Sequence, residues 1–321
     1  MSGGGKPSVL VTGAAGYIGG LVVKALARRR DELGALVGLD VREPPAGELP
    51  TGVAWVNASV CDPEVDAVVA EHGIDTIVHL ASILKPPRDG EDLAYRVDVL
   101  GTRNVLESAV RRGVRKLVVT TSGAAYGYHP DNPAWLEEHH PIRGNEEIPY
   151  SRHKRLIEQD LADYRQKHPE LAQLVFRPGT VIGAGVSTPV TALFEAKVML
   201  GVRGSETPFV FIWDADVVEC IVRGVFGSET GTYNLAGDGA LTPREIAALL
   251  GKPYLALPSS VISSALSLLK RLGKSPYGPE QVKFLSYRPV LSNRALKERF
   301  GYRPQKTSRE AFEHYRLALP R

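Results

Sequence analysis

The sequence predicts an α/β protein built on a doubly wound parallel sheet. Short apolar runs rich in β-branched residues alternate along the chain with longer segments of helical periodicity. A strand that is apolar along its whole length is buried on both faces, as in a parallel sheet covered by helices. The expected strands are 9–12, 35–39, 53–56, 76–80, 116–120 and 174–176, and the expected helices are 18–30, 63–72, 94–112 and 151–168.

Three glycines follow the first expected strand and open the first expected helix. The run TGAAGYIG places Gly13, Gly16 and Gly19 at intervals of three residues. This spacing lets the turn close, lets the backbone approach a pyrophosphate, and lets the helix pack against the strand. We therefore predict a dinucleotide site formed by these glycines together with Tyr17 and Ile18.

Asp40 ends the second expected strand, about twenty residues beyond the glycine loop. A carboxylate there can accept hydrogen bonds from both hydroxyls of an adenosine ribose and would repel a 2′-phosphate, which favours NAD over NADP. Arg42 could weaken that preference, and Asp40 could also be an ordinary turn residue.

A sheet that binds a dinucleotide in this way is a Rossmann domain, which we assign to residues 1–175. After this point proline and glycine become frequent and the alternation loosens. We expect 176–321 to form mainly a smaller C-terminal α/β substrate lobe, with some segments returning to the Rossmann sheet. Within this lobe, Thr242 and Glu245 match a capping box at the start of a helix.

Composition and charge exclude several classes of partner. The chain has 39 Lys and Arg against 36 Asp and Glu, and the basic residues are scattered, so we expect no nucleic-acid partner. The two cysteines, Cys61 and Cys220, indicate neither a disulfide framework nor a metal site. No apolar stretch reaches ~18 residues and no signal peptide is evident, so we expect a cytoplasmic protein without a membrane partner.

Tyr150 and Lys154 lie at the start of a helix and four residues apart, so they share one face of it. A nearby ammonium and an oxidised nicotinamide both favour the phenolate, which brings a phenol toward general-base work at neutral pH. Ser122 follows the strand 116–120, where its hydroxyl could hold the substrate oxygen. With the glycine loop, these three residues predict hydride transfer between NAD and a hydroxyl-bearing carbon.

Together the motifs resemble the extended short-chain dehydrogenase/reductases, or NAD-dependent epimerase/dehydratase family, over nearly the whole chain. TGAAGYIG is similar to the family's TGxxGxxG loop, TSGAAYG to its SSxxxYG segment, and YSRHK to its YxxxK motif. The resemblance implies further cofactor contacts from the adenine-contacting acidic position, the HLAS strand end, the segment after the sixth strand and the YxxxK pair. These residues are Asp62, Leu80, Ala81, Ser82, Arg177, Pro178, Tyr150 and Lys154. It also implies a homodimer through the helices 94–112 and 151–168.

The chain departs from this family pattern at positions that bear on the substrate. Asp98 stands where the family often has Asn, and Thr180 stands where nucleotide-sugar enzymes usually place an Asn facing the substrate. Trp213 replaces the His of the family's FIHVxD segment. The candidates for holding a nucleotide diphosphate are Arg203, Arg244 and Arg288.

We therefore expect an NAD-dependent oxidoreductase that interconverts a secondary alcohol and a ketone on a hydrophobic or small hydroxy/keto substrate. One alternative is a nucleotide-sugar epimerase or dehydratase that holds NAD tightly, and another is a non-enzymatic dinucleotide-sensing module. The amphipathic segment 258–272 is either a helix packed on its own lobe or a wall of an apolar substrate pocket. Glycines 3–5 are expected to form a flexible leader, and Asp89 to help cap the next helix.

Overall fold

A computed structural model describes residues 5–44, 46–84, 90–275 and 278–319; Gly3, Gly4 and Asp89 lie outside the described residues. The strands are β1 (Val9–Thr12), β2 (Leu36–Asp40), β3 (Ala54–Asn57), β4 (Thr76–His79), β5 (Lys116–Thr120), β6 (Ala172–Pro178), β7 (Thr180–Ile182), β8 (Met199–Val202), β9 (Phe211–Trp213), β10 (Gly231–Leu235) and β11 (Tyr254–Leu257). The helices are α1 (Tyr17–Ala27), α2 (Glu64–Glu71), α3 (Glu91–Tyr95), α4 (Gly101–Arg111), α5 (Pro149–Lys167), α6 (Thr191–Glu195), α7 (Asp214–Phe226), α8 (Pro243–Leu250), α9 (Ser259–Arg271), α10 (Gln281–Ser286), α11 (Arg294–Glu298) and α12 (Ser308–Leu317).

Seven strands form one wholly parallel sheet in the order β10-β6-β5-β4-β1-β2-β3, which confirms the predicted doubly wound α/β fold. From β1 the chain winds toward β3 on one side and from β4 toward β10 on the other. In such sheets the ligand crevice lies where the winding reverses, at the carboxyl ends of the strands. β10 comes from beyond residue 176 and pairs with β6, from Gly231 opposite Leu174 to Leu235 opposite Pro178.

Helices cover both faces of this sheet, which explains why its strands are apolar along their whole length. In β1, Val9, Leu10 and Val11 are each 0% exposed. The two valines belong to the core that α1 and α7 complete, whereas Leu10 belongs to the core that α2, α4 and α5 complete. Alternate residues of one strand thus enter opposite cores.

The second lobe has its own core, made largely of aromatic side chains. Phe194, Phe209, Phe211 and Phe312 pack together, and the ring centroids of Phe194 and Phe312 are 5.3 Å apart. Two short parallel pairs, β7 with β9 and β8 with β11, flank this core. The predicted capping box at the start of α8 is confirmed.

The helix predicted over 94–112 is not continuous. A π-helical turn, Arg96–Leu100, separates α3 from α4. This wide turn brings Asp98 into the interior, where its Oδ1 accepts a hydrogen bond from the Ile83 amide at 3.0 Å. The Thr102 hydroxyl donates to the Asp98 carbonyl oxygen at 2.5 Å. Such turns are frequent at functional sites, and apolar periodicity does not reveal them.

A buried ion pair joins α5 to β6. Arg177 donates from Nε and Nη2 to the two carboxylate oxygens of Glu158, each at 2.8 Å, and from Nη1 to the Tyr126 hydroxyl at 2.8 Å. Glu158 also accepts a hydrogen bond from the Thr121 hydroxyl at 2.6 Å. Because Arg177 and Glu158 are only 5% and 8% exposed, removing one partner would leave a buried charge without compensation.

We predict that Glu158→Leu lowers the free energy of unfolding by about 3–5 kcal/mol, measured by urea denaturation. The double variant Glu158→Leu/Arg177→Met should recover a large part of that loss, because it removes both buried charges. Glu219→Leu breaks an exposed ion pair with Arg223 and serves as the control, with an expected change within about 1 kcal/mol. If Glu158→Leu and Glu219→Leu lower the free energy of unfolding equally, the buried Arg177–Glu158 pair matters no more to stability than an exposed one.

Candidate active site

The glycine loop lies at the carboxyl end of β1, directly against the end of β4. Gly13 has φ of +70°, and a Cβ there would lie 2.6 Å from the Ala81 nitrogen and 2.8 Å from the Leu80 carbonyl carbon. A Cβ on Gly19 would lie 2.0 Å from the Gly13 oxygen, and one on Gly16 3.0 Å from it. Only glycine permits this close packing. The first turn of α1 carries no acidic residue, so its positive end can receive a pyrophosphate.

Asp40 is held against this loop. Its Oδ2 accepts a hydrogen bond from the Ala15 amide at 3.0 Å, and its Oδ1 accepts one from the Arg42 amide at 3.0 Å. The Arg42 guanidinium donates to the Ala15 carbonyl oxygen at 3.0 Å. A carboxylate offers about four acceptor sites, so Asp40 can still accept from ribose hydroxyls. The loop and this carboxylate therefore fit an NAD molecule.

Tyr17 connects the glycine loop to the start of α7 and to the loop after β7, contacts that the sequence did not reveal. Its hydroxyl donates to Asp214 Oδ2 at 2.5 Å and lies 3.1 Å from the Ala184 carbonyl oxygen. Gly183 makes room for this carboxylate, because a Cβ there would lie 1.9 Å from Asp214 Oδ2. Burial, and then Asp214, raise the pKa of Tyr17. Ile18 is half-buried against the first core.

Asp62 stabilises its own loop after β3. Its Oδ2 accepts a hydrogen bond from the Ser59 amide at 2.9 Å. The Asn104 side chain donates to the carbonyl oxygens of Val60 and Asp62, at 2.8 and 2.9 Å. These contacts hold the loop beside α4.

Ser122 and Tyr150 are carried by two elements that pack against each other. Ser122 begins a 3₁₀ turn, Gly123–Tyr126, and its Oγ accepts a hydrogen bond from the Ala124 amide at 3.1 Å. α5 packs on this turn. Ser151, which the motif did not single out, fixes the contact, because its hydroxyl donates to the Ala124 carbonyl oxygen at 2.7 Å and accepts from the Asn145 amide at 3.0 Å.

Lys154 lies one turn along α5 from Tyr150, as the spacing predicts, with its Nζ 5.4 Å from the centre of the Tyr150 ring. That Nζ donates to Ser82 Oγ at 3.0 Å. Lys154 is only 3% exposed, so its ammonium is held in a buried environment beside the phenol. The structure thus brings together the YxxxK pair and the HLAS strand end.

Asp98 balances the charge of this buried lysine. Its carboxylate accepts hydrogen bonds from Ser82 and Ile83, and His153 Nδ1 lies 3.4 Å from its Oδ2. Burial alone would raise the pKa of Asp98, but the Lys154 ammonium, followed by these hydrogen bonds, holds it below the usual range. An Asn, which the family often has here, would supply no charge.

His79 is neutral and held in one tautomer. The Thr102 hydroxyl gives its hydrogen to the Asp98 carbonyl oxygen, so it accepts from His79 Nε2 at 3.0 Å. His79 Nδ1 then accepts from the Thr12 hydroxyl at 2.7 Å. Burial, and then the charge of Lys154, lower the pKa of His79 to about 4.

The remaining predicted cofactor residues lie at the carboxyl end of β6. The Arg177 side chain is engaged by Glu158 and Tyr126, so Arg177 can meet a cofactor only through its backbone. Pro178 is the last residue of β6 and pairs with Leu235. Thr180 begins β7, and its amide donates to the Val210 carbonyl oxygen at 3.0 Å.

The side of the site that faces the second lobe is apolar. Ala124, Tyr128 and Ile148 form a cluster against which Tyr150 and Phe284 pack. Phe284 belongs to α10, and its ring meets that of Tyr128 edge-on with 5.5 Å between centroids.

The three candidate arginines for a diphosphate differ in burial and in the partners that they contact. Arg288 is buried, donates to the carbonyl oxygens of Phe284, Leu285 and Thr207, and lies 3.8 Å from the Phe209 ring centre. Arg244 lies over Tyr254 and 3.8 Å from Glu206, whereas Arg203 is exposed.

Comparisons with known proteins agree with this geometry. The sequence model described as "NAD dependent epimerase/dehydratase family" matches residues 9–223. The chain belongs to this family.

An uncharacterized protein of Mycobacterium tuberculosis is 23% identical over 311 residues, which are 96% of this chain and 82% of that protein. The UDP-glucose 4-epimerase of Thermus thermophilus, solved with NAD, matches with a TM-score of 0.74 and 25% identity over 97% of this chain and 98% of its own. Human 3 beta-hydroxysteroid dehydrogenase type 7 is 38% identical over 148 residues, 44% of this chain and 38% of that protein.

Family membership makes the chain an NAD-dependent enzyme of the extended short-chain dehydrogenase/reductase type. Across the described residues, no helix is long and apolar enough to cross a membrane. In the same part of the chain, no group of three or more His, Cys, Asp or Glu side chains is placed to hold a metal ion.

We predict that Asp40→Ser weakens NAD binding by roughly 10-fold and narrows the preference for NAD over NADP, because charge-assisted hydrogen bonds to the ribose are lost. Fluorescence titration with both dinucleotides measures this change. Arg42→Gln keeps the carboxylate and should bind NAD as the unchanged protein does. An unchanged ratio of the two affinities in Asp40→Ser would rule out the ribose role.

We predict a loss of stability as the pH falls from about 6.5 to about 4, because unfolded histidine takes up a proton in this range while native His79 does not. The contribution of His79 to this slope approaches about 1.4 kcal/mol per pH unit. Urea denaturation at several pH values measures it. His79→Gln should flatten the slope, whereas His139→Gln, at a side chain that is 71% exposed, should not. A His79 variant with the original slope would contradict the buried neutral state.

Proposed function

We propose that this protein is an NAD-dependent dehydrogenase/reductase that interconverts a secondary alcohol and a ketone on an apolar substrate. The observation that carries the proposal is the apolar cluster around Tyr150, to which the second lobe contributes the Phe284 ring. Burial of an apolar substrate against such a surface is favourable, at roughly 25 cal/mol per Å². The partial match to human 3 beta-hydroxysteroid dehydrogenase type 7 supports the same substrate class.

The cations of the second lobe support this proposal indirectly. A nucleoside diphosphate is bound by convergent arginine or lysine side chains with free N–H groups. The terminal nitrogens of Arg288 already donate to backbone carbonyl oxygens, and Arg244 lies beside Glu206. The terminal nitrogens of Arg288 are therefore not free for a diphosphate, and only its buried Nε has no hydrogen-bond partner among the described residues.

In the proposed reaction Tyr150 removes the proton of the substrate hydroxyl at its phenolic oxygen, and it returns the proton in the reverse direction. The Lys154 ammonium stabilises the phenolate. Ser122 Oγ already accepts from the Ala124 amide, so its own hydrogen can be donated to the substrate oxygen as the carbonyl forms. A bound NAD would supply the acceptor for the hydride of the carbinol carbon.

We propose that NAD is held at the crevice between β1 and β4. The glycine loop would receive the pyrophosphate, Asp40 the adenosine ribose, and Lys154 the nicotinamide ribose. The full set of proposed cofactor residues is Gly13, Gly16, Tyr17, Ile18, Gly19, Asp40, Asp62, Leu80, Ala81, Ser82, Tyr150, Lys154, Arg177 and Pro178.

We predict that Tyr150→Phe lowers turnover by roughly 10²–10⁴-fold while NAD affinity stays nearly the same, because only the proton-transfer group is removed. Tyr164→Phe, near the other end of α5, is the matched control and should keep full turnover. Steady-state rates and NAD titration of the three proteins provide the measurement. Normal turnover in Tyr150→Phe would exclude Tyr150 as the proton-transfer group.

A nucleotide-sugar epimerase or dehydratase is the second candidate, favoured by the whole-chain similarity to UDP-glucose 4-epimerase. The absorbance of reduced nicotinamide distinguishes the two, with NAD and a panel of apolar secondary alcohols and nucleotide sugars. The first proposal predicts steady NADH accumulation with an apolar alcohol. Conversion of a nucleotide sugar without NADH accumulation would establish the second.

We also propose a homodimer formed through α4 and α5. Leu93 and Leu100, beside these helices, are 46% and 40% exposed, and Arg103 on α4 donates to Asp160 on α5 at 2.7 Å. Analytical ultracentrifugation should give twice the protomer mass, and Leu100→Glu should reduce that mass. A single protomer mass for the unchanged protein would contradict the dimer.

We also propose that the protein works in the reducing cytoplasm, where Cys61 and Cys220 would stay unpaired, as they are in the structure.

A further inference from the structure

α9 exposes most of its apolar side chains. Of its thirteen residues, Ile262 alone is buried. Val261, Leu268, Leu269 and Leu272, the last of these at its C-cap, are 50%, 58%, 39% and 58% exposed. α9 thus packs on its own lobe through Ile262 and α10, one of the two expectations for the segment 258–272, but it leaves most of its apolar side chains exposed.

These side chains form one continuous stripe. Val261, Ala265, Leu268 and Leu272 follow the spacing i, i+4, i+7 and i+11, which lines up residues on one face of a helix. At 1.5 Å per residue the stripe is about 16 Å long. Leu269 lies beside it. We call these five residues the α9 stripe.

The charges around the α9 stripe are positive. From residue 251 to residue 279 the chain has no Asp or Glu, and its charged residues are Lys252, Lys270, Arg271 and Lys274. The last three are exposed, and Lys270 lies 3.7 Å from Glu280, so Arg271 and Lys274 supply the positive charge next to Leu272.

We propose that the α9 stripe docks on the surface of an anionic lipid bilayer. An amphipathic helix that combines exposed leucines with basic residues lies in the membrane interface, with its apolar face among the acyl chains and its cations at anionic headgroups. A neutral apolar protein surface would match only the leucines, and an acidic protein surface would match only the cations. An anionic bilayer matches both.

The position of α9 agrees with this proposal. α10 packs against α9 and carries Phe284, which meets Tyr128 edge-on and packs against the same cluster as Tyr150, at the proposed mouth of the site. Docking would therefore place that mouth near the lipid. The proposal revises the expectation of no membrane partner, since it concerns surface binding rather than a membrane-spanning helix, and it stands independently of the substrate.

Flotation of the full chain with vesicles tests the proposal. The vesicles are phosphatidylcholine alone or phosphatidylcholine with phosphatidylglycerol, at low and high salt. We expect binding to the anionic vesicles that salt weakens. Leu268→Gln/Leu272→Gln should lower the partition coefficient at least ~10-fold, and Arg271→Gln/Lys274→Gln roughly 10-fold.

Leu317→Gln is the matched control, because Leu317 is 76% exposed and lies on a different helix, α12. It should bind vesicles like the unchanged protein. Circular dichroism and NAD titration verify that every variant is folded. Absence of binding to anionic vesicles, or equal binding of the Leu268/Leu272 variant, would overturn the proposal. If the unchanged protein is a dimer that does not bind vesicles, and Leu268→Gln/Leu272→Gln lowers its mass, then the α9 stripe contacts a second copy of the chain instead of a bilayer.

Discussion

The site depends on a buried charge pair, the Lys154 ammonium and the Asp98 carboxylate, with Ser82 between them. Both charged residues are nearly inaccessible, at 3% and 1% exposure. An ammonium in such surroundings is costly unless an opposite charge and hydrogen bonds compensate it. Because Ser82 follows β4, Asp98 lies in the π-helical turn and Lys154 lies on α5, the pair fixes three elements together. The position of Tyr150 relative to the strand ends follows from that constraint.

Two segments from beyond residue 176 reach the site from the opposite side. Tyr17 reaches from the glycine loop to Asp214 at the start of α7, and Phe284 of α10 packs near Tyr150. The first contact ties the glycine loop to α7, which packs on the sheet beside α1, and the second brings an aromatic ring of the second lobe to the cluster on which Tyr150 packs. In the proposed reaction, an apolar surface beside the Tyr150 phenol would keep water from the reacting oxygen and so strengthen the electrostatic interactions that act on it.

The fold and the spacing of Tyr150 and Lys154 could be predicted because they depend on local pattern. Continuous apolar strands, a glycine loop between strand and helix, and a Tyr and Lys one turn apart each leave a signal in a few adjacent residues. The short strands β7 to β11 left no such signal, since they have three to five residues each and form by pairing with distant segments.

Other features could not be predicted because they join residues far apart in the sequence. Arg177 matched a cofactor segment, yet its side chain is engaged by Glu158 on another element. The Tyr17–Asp214 hydrogen bond links positions 197 residues apart. The π-helical turn at Asp98 keeps a helical composition, so only the three-dimensional packing reveals that the Asp faces a lysine.

In the net dehydrogenase that we propose, NAD is a co-substrate that leaves after each turnover. An enzyme that returns the hydride to the same substrate has no need to release its cofactor. The most direct measurement is the NAD content of the purified protein after gel filtration, together with the affinity of the stripped protein for added NAD. We expect little retained NAD and reversible, full rebinding. Nearly one tightly held NAD per protomer, released only by denaturation, would contradict a net dehydrogenase.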